Sequence, residues 1–279
     1  MGRFRVLWRC GLALLWLSAA LACRPLPRPA PTSRLQVWTC PGLSPLAERL
    51  AEAYEARAPH VRVEIAEAPH VQSLEALATR RADLALLERE LEPEELTDPE
   101  TGHVQLRVWT IGRDGLAVIV HPSNAVSGLS LDQLRKVFSG VERRWHDLGG
   151  PDEIIQLVAR EPNSPIAATF AQQALGHELL SGTAVLMPSD RDVVAYVAQH
   201  PYAIGYVSMA WVSSDVKAIT IDGLRPGPRG VSSGRYPLAH PLALAGHVGP
   251  SDEVRAFVAF VLSPQGQAIL AERHASLAQ

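Results

Sequence analysis

From Leu35 onward, apolar positions recur with two alternating periods. Residues 35–38 read as a short strand. Ser44-Pro45 then opens a helix, with Ser44 at the N-cap and Pro45 in the first helical position. Leu46, Leu50, Ala53 and Tyr54 follow at i, i+4, i+7 and i+8, on one helical face. Val61, Val63 and Ile65 alternate with Arg62 and Glu64, as in a half-exposed strand. The pattern next predicts a helix over 74–81, an apolar strand over 82–87 and two separate strands over 104–110 and 116–120. Ser130 and Gln133 form a capping box for a helix carrying Leu131, Leu134, Val137 and Phe138. A buried-type strand over 154–158 runs out at Arg160, and Asn163-Ser164-Pro165 opens a helix with Ile166 and Phe170 on its face. A capped helix over 189–199 and a strand over 203–208 follow. Val254, Phe257, Val258, Val261 and Leu262 mark a last long helix, and Ser263-Pro264 starts a short one.

This alternation predicts an α/β architecture with mainly parallel sheets. The chain of 279 residues is long enough for two lobes, each with its own core. Ligands of such sheets sit beyond the carboxyl ends of the strands, near helix N-termini. A composition of 47% hydrophobic and 20% charged residues excludes a disordered, collagenous or coiled-coil chain. A net charge of −3 gives no electrostatic reason to expect nucleic acid. Three cysteines do not make a disulfide scaffold.

The N-terminus reads as an address. Arg3, Arg5 and Arg9 precede an uncharged run over 10–22, which is too short for a hydrocarbon core of about 30 Å. Ala20-Leu21-Ala22-Cys23 resembles the bacterial lipoprotein box, which implies a lipid on Cys23; ordinary cleavage after Ala22 is the alternative. Prolines alternate over 24–31, as in an extended tether. Loss of residues 1–22 removes three arginines and no acid, taking the net charge from −3 to −6. Cys40 is then the thiol of the folded part, and reads as a small buried residue rather than a nucleophile.

Arg160 after a strand and Ser164 before a helix are the sharpest chemical feature. Helix-start amides, a hydroxyl and a guanidinium fork together suit a tetrahedral oxyanion. The alternative is a helix cap beside a surface ion pair. No HExxH, CxxC or GxSxG occurs among the ten histidines and three cysteines. Asp83 reads as a structural acceptor, and the acidic stretch over 88–95 as a solvated loop and helix start.

Several stretches, in order, resemble the phosphate-binding proteins of bacterial phosphate ABC importers. They are Ile111-Gly112-Arg113-Asp114-Gly115-Leu116 with Pro122; residues 129–138 with Gly140, Trp145 and Asp147-Leu148-Gly149-Gly150; and Arg160-Glu161. Ala203-Ile204-Gly205-Tyr206-Val207, Tyr236-Pro237-Leu238 and Ser263-Pro264-Gln265-Gly266 continue the series. The resemblance implies a two-lobed periplasmic-binding-protein fold of type II. It would have a leader over 1–22, a tether over 23–34, one lobe from 35–110 and 222–279, and the other from 111–221. It implies capture of inorganic phosphate or a related oxyanion for an inner-membrane ABC permease, by a monomeric, extracytoplasmic, lipid-anchored protein. No enzyme activity, cofactor or metal is implied.

The resemblance assigns the anion to Arg160 and Ser164, with Thr39 or Ser44 from a first loop and His70 or Ser73 from a second. Glu88 is the acid facing a protonated phosphate. The family's Ser-Gly-Thr after the arginine is here Ser164-Pro165-Ile166, and the Gly of the second loop is missing. Each charge-assisted hydrogen bond lost costs roughly 1.5–3 kcal/mol. Two or three losses weaken binding by about 100-fold to about a million-fold. A diverged module with weak or no phosphate binding, acting in sensing or protein interaction, is therefore the alternative function.

Overall fold

The computed structural model describes residues 32–98, 103 and 105–277. The leader, Cys23 and the proline-rich run to residue 31 lie outside the described residues. In chain order the first elements are β1 (Ser33–Thr39), α1 (Ser44–Arg57), β2 (Val61–Glu67), α2 (His70–Ala78), β3 (Leu84–Leu87), α3 (Pro93–Leu96) and β4 (Leu106–Val120). Next come β5 (Gly128–Leu129), α4 (Leu131–Phe138), β6 (Gln156–Arg160), α5 (Pro165–Phe170), β7 (Val185–Met187) and α6 (Asp190–Gln199). They are followed by β8 (Ala203–Ser208), β9 (Lys217–Ala218), β10 (Thr220–Ile221) and α7 (Pro228–Ser232). The chain closes with β11 (Ala239–His247), α8 (Asp252–Leu262), α9 (Pro264–Ala271) and β12 (Ala275–Ser276).

The strands form a path β2-β1-β3-β11-β4-β8-β6-β7. Pairing is parallel among β1, β2 and β3, and again among β6, β7 and β8. It is antiparallel wherever β4 or β11 takes part. These two strands join two lobes. In one, Tyr54 of α1 meets Phe257 and Phe260 of α8 at 5.1 and 5.4 Å. In the other, Phe170 lies 4.7 Å from Phe138 and stacks on Tyr206 at 3.8 Å. Val231, Tyr236 and Leu238 belong to this second core, so the chain packs there until it returns through β11. Ser33 and Arg34 already pair with Val61 and Arg62 in β1.

Four local expectations are corrected. The strands expected over 104–110 and 116–120 are one strand, β4. Gly112, Arg113, Asp114 and Gly115 break the apolar pattern, but pairing with Leu242, Pro241, His240 and Ala239 keeps the backbone extended. Helix α2 begins at His70 rather than at residue 74, because its first turn buries the polar His70 and Ser73. Ser44 is not an N-cap: a 3-10 turn, Pro41–Leu43, runs straight into α1 and puts Leu43 at the cap. Strand β6 starts two residues late and includes Arg160, while Ile154 is exposed.

Candidate functional site

Arg160 ends β6, whose flanking partners β7 and β8 are parallel to it, so its side chain emerges at the carboxyl edge of the sheet. Its backbone N–H donates to Tyr206 Oη at 3.2 Å. Its side chain is 10% exposed. Nη1 donates to Asp190 Oδ2 at 2.7 Å and Nη2 to the Pro188 carbonyl at 2.9 Å. Asp190 opens α6, and its other oxygen accepts from the Ser208 N–H at 3.2 Å. Burial pushes the Asp190 carboxyl up from its ordinary value, and the Arg160 guanidinium pulls it back.

The facing lobe contributes Glu88, directly after β3 and 3% exposed. Burial, followed by the nearby Asp190 carboxylate, raises its pKa to about 8. Glu88 is therefore mostly protonated at neutral pH. The buried Cys40 thiol beside it is pushed well above its usual value by burial and by Glu88, so it is a weak nucleophile. His70, at the start of α2, is lowered to about 4 by burial and then by the Arg89 guanidinium; it is neutral at pH 7. At Gly42 an added Cβ would lie 2.6 Å from Glu88 Oε1 and 3.2 Å from Asp190 Oδ2. Carboxyl groups from both lobes thus converge on a bare Cα.

These groups line a cavity of about 110 Å³, together with Pro41, Pro69, Ser164, Pro165 and Pro188. It is far smaller than the sites that take drug-sized ligands. The N-terminal ends of the Pro41–Leu43 turn, α2, α5 and α6 all meet it. Each such end carries partial positive charge, which favours an anion. Glu88 and His70 are neutral at pH 7, the Arg160 guanidinium is paired with Asp190, and Glu161 adds an acidic side chain to the lining. Three buried atoms of the lining residues make no hydrogen bond: Arg160 Nε, Glu88 Oε1, and His70 Nε2, which lies 3.8 Å from Glu95 Oε1.

Of the residues expected from sequence, Arg160, Ser164, Glu88 and His70 come together around this cavity. Thr39 lies behind it, fully buried, donating to the Leu86 and Cys40 carbonyls at 3.3 and 3.4 Å. Ser44 is buried with an unpartnered hydroxyl, outside the lining. Ser73 sits inside α2, donating to the Pro69 carbonyl at 3.4 Å. Ser164 caps α5 without a side-chain bond to it, and its own N–H goes to the Glu161 carbonyl at 3.0 Å. Asp190 and Gly42 join them at the cavity without a sequence signal of their own. Asp190 follows the Ser189 cap and is indistinguishable there from an ordinary first-turn acid.

At the crossing between lobes, Asp114 faces two other buried groups. His274 Nδ1 lies 3.3 Å and His240 Nε2 3.9 Å from its carboxylate. Burial raises the Asp114 pKa, but the two imidazoles outweigh it and hold the carboxyl below its usual value.

A family model described as a PBP superfamily domain matches residues 27–265. The phosphate-binding protein PstS of Bacillus subtilis is 38% identical over 126 residues, which span 44% of this chain and 41% of that protein. The PstS of Pseudomonas aeruginosa is 26% identical over 252 residues, 82% of this chain and 78% of its own length. Among solved structures, one from Clostridium perfringens is described as a phosphate ABC transporter substrate-binding protein with bound phosphate. It superposes with a TM-score of 0.80 at 26% identity, covering 88% of this chain and all of that one.

Proposed function

The chain belongs to the PBP superfamily, and we propose that it is a solute-binding protein that captures inorganic phosphate, or a similar oxyanion, for an ABC importer. One observation carries the reading: Arg160 and the N-terminal ends of α2, α5 and α6 converge on a cavity sized for a single small anion. The names of its relatives, and the phosphate in the Clostridium perfringens structure, support the ligand. Arg160 Nε and the Ile166 and Ala167 amides at the start of α5 donate to the anion. Ser164 adds a hydroxyl, and His70 donates or accepts through Nε2. Glu88 exchanges a proton with the anion across their shared hydrogen bond. The protein works outside the cytoplasm as a monomer, held to the membrane by lipid on Cys23 and a proline-rich tether, and delivers its ligand to a permease.

A second reading, a module that binds phosphate weakly and acts in sensing or protein interaction, is favoured by one feature. Both terminal nitrogens of Arg160 are already bonded, to Asp190 and to the Pro188 carbonyl. Titration calorimetry on site variants separates the two. Arg160→Ala is expected to weaken phosphate binding by more than about 100-fold. Arg160→Lys, which keeps a charge beside Asp190 but loses the fork, is expected to weaken it by about tenfold. Ser164→Ala is expected to cost about tenfold or less. Unchanged affinity in all three variants removes Arg160 and Ser164 from the site.

A further inference from the structure

We propose that Trp211 is a positioning residue of the anion site. From the opposite lobe, its indole holds the loop that carries Gly42, and together with Arg273 it latches the lobes at the edge of the cleft. This rests on the oxyanion-binding reading above. The turn Met209–Trp211 follows β8 directly. Trp211 packs on the core of the second lobe, yet its Nε1 donates to the Gly42 carbonyl of the first at 3.1 Å. Gly42 is the residue whose Cα faces Glu88 and Asp190. One position earlier, the Ala210 carbonyl accepts from Arg273 Nη1 at 2.7 Å. Arg273 follows α9, whose Leu270 belongs to the first core. The turn is itself fixed: Ser208 Oγ accepts from the Ala210 N–H at 3.2 Å, and the Ser208 N–H holds Asp190, the partner of Arg160. A short turn therefore reaches the Gly42 loop, the Arg160–Asp190 pair and the C-terminal segment at once.

The indole has a second partner. The Arg191 guanidinium lies 5.9 Å from the ring centroid, within cation–π range. Outside the turn is a second cavity of about 470 Å³, lined by Gly42, Leu46, Arg191, Trp211, Arg273 and His274. Gly42 lines both cavities, so its loop is the wall between them, and Trp211 braces that wall. Both bonds span the two lobes, so they exist only while the lobes are together. They retard ligand release and leave encounter with the open cleft untouched.

The test is stopped-flow and calorimetric measurement of inorganic phosphate binding to the full chain. Trp211→Phe keeps the aromatic ring and removes the N–H donor. It is expected to speed phosphate release by roughly tenfold, with the association rate and the melting temperature of the unliganded protein unchanged. Arg273→Ala alters an exposed side chain, is expected to act in the same direction, and decides the matter if Trp211→Phe does not fold. A parent chain that binds phosphate, with release unchanged in both variants, overturns the latch alone. A slower association together with a lower unliganded melting temperature marks a merely structural role and also overturns it. A parent chain that binds no phosphate overturns the binding reading, and the latch with it.

Discussion

Glu88 governs how the site responds to pH. Its carboxyl, with an ordinary value of 4.5, is held up to about 8 by burial and then by Asp190. Between those values the folded chain keeps a proton that the unfolded chain has released. Stability therefore falls as pH rises from 4.5 to about 8, and levels off above. His70 acts with the opposite sign. It stays neutral in the fold down to about 4 against an ordinary 6.5, so stability is lost as pH falls between them. For the ligand, ionised Glu88 adds a second negative charge beside Asp190. Phosphate affinity is expected to decline above pH 8, by at most about tenfold per pH unit. Glu88→Gln should flatten that decline and leave a folded protein that is steadier than its parent at pH 9. A profile with the same slope in both proteins assigns the titration to another group. At this scale Arg160 and Ser164 were legible, because a strand end and a helix start lie within one short stretch of sequence. Asp190 and Gly42 were not: the pairing of β1 with β3 brings Gly42 to Glu88, and the packing of the second lobe brings Asp190.

Among the elements, the pairing of β6 with β8 sets the aim of Arg160. Tyr206 of β8 stacks on Phe170 and accepts the Arg160 backbone N–H at 3.2 Å, in a nearly closed core. Tyr206→Phe keeps the stack and leaves that N–H without its acceptor. Urea unfolding is expected to show a loss of about 1–3 kcal/mol. A loss below about 0.5 kcal/mol would mean that the amide finds another partner. The capping box of α4 and most of the apolar face of α8 are legible because both are local patterns, although Leu262 is exposed and Phe260 takes its place in the core. The continuity of β4 was hidden. Its charged and glycine-rich middle has the composition of a loop, and only the neighbouring β11 makes it a strand. Helix α2 was read short for a related reason: its first turn buries polar side chains that a hydrophobic count passes over.

At the level of the whole molecule, β4 and β11 carry the chain between lobes, with Asp114, His240 and His274 buried where they pair. The two-lobed α/β plan was legible from the alternation of periods and from the ordered family stretches. The ligand loops were harder, because they depart from the family pattern at the positions that the resemblance assigns to the anion. If the chain with these altered loops still holds one phosphate between its lobes, isothermal titration of the purified protein with inorganic phosphate at pH 7 gives a saturable heat corresponding to one phosphate per chain. No saturable heat up to roughly 1 mM phosphate means that the cleft does not hold the anion.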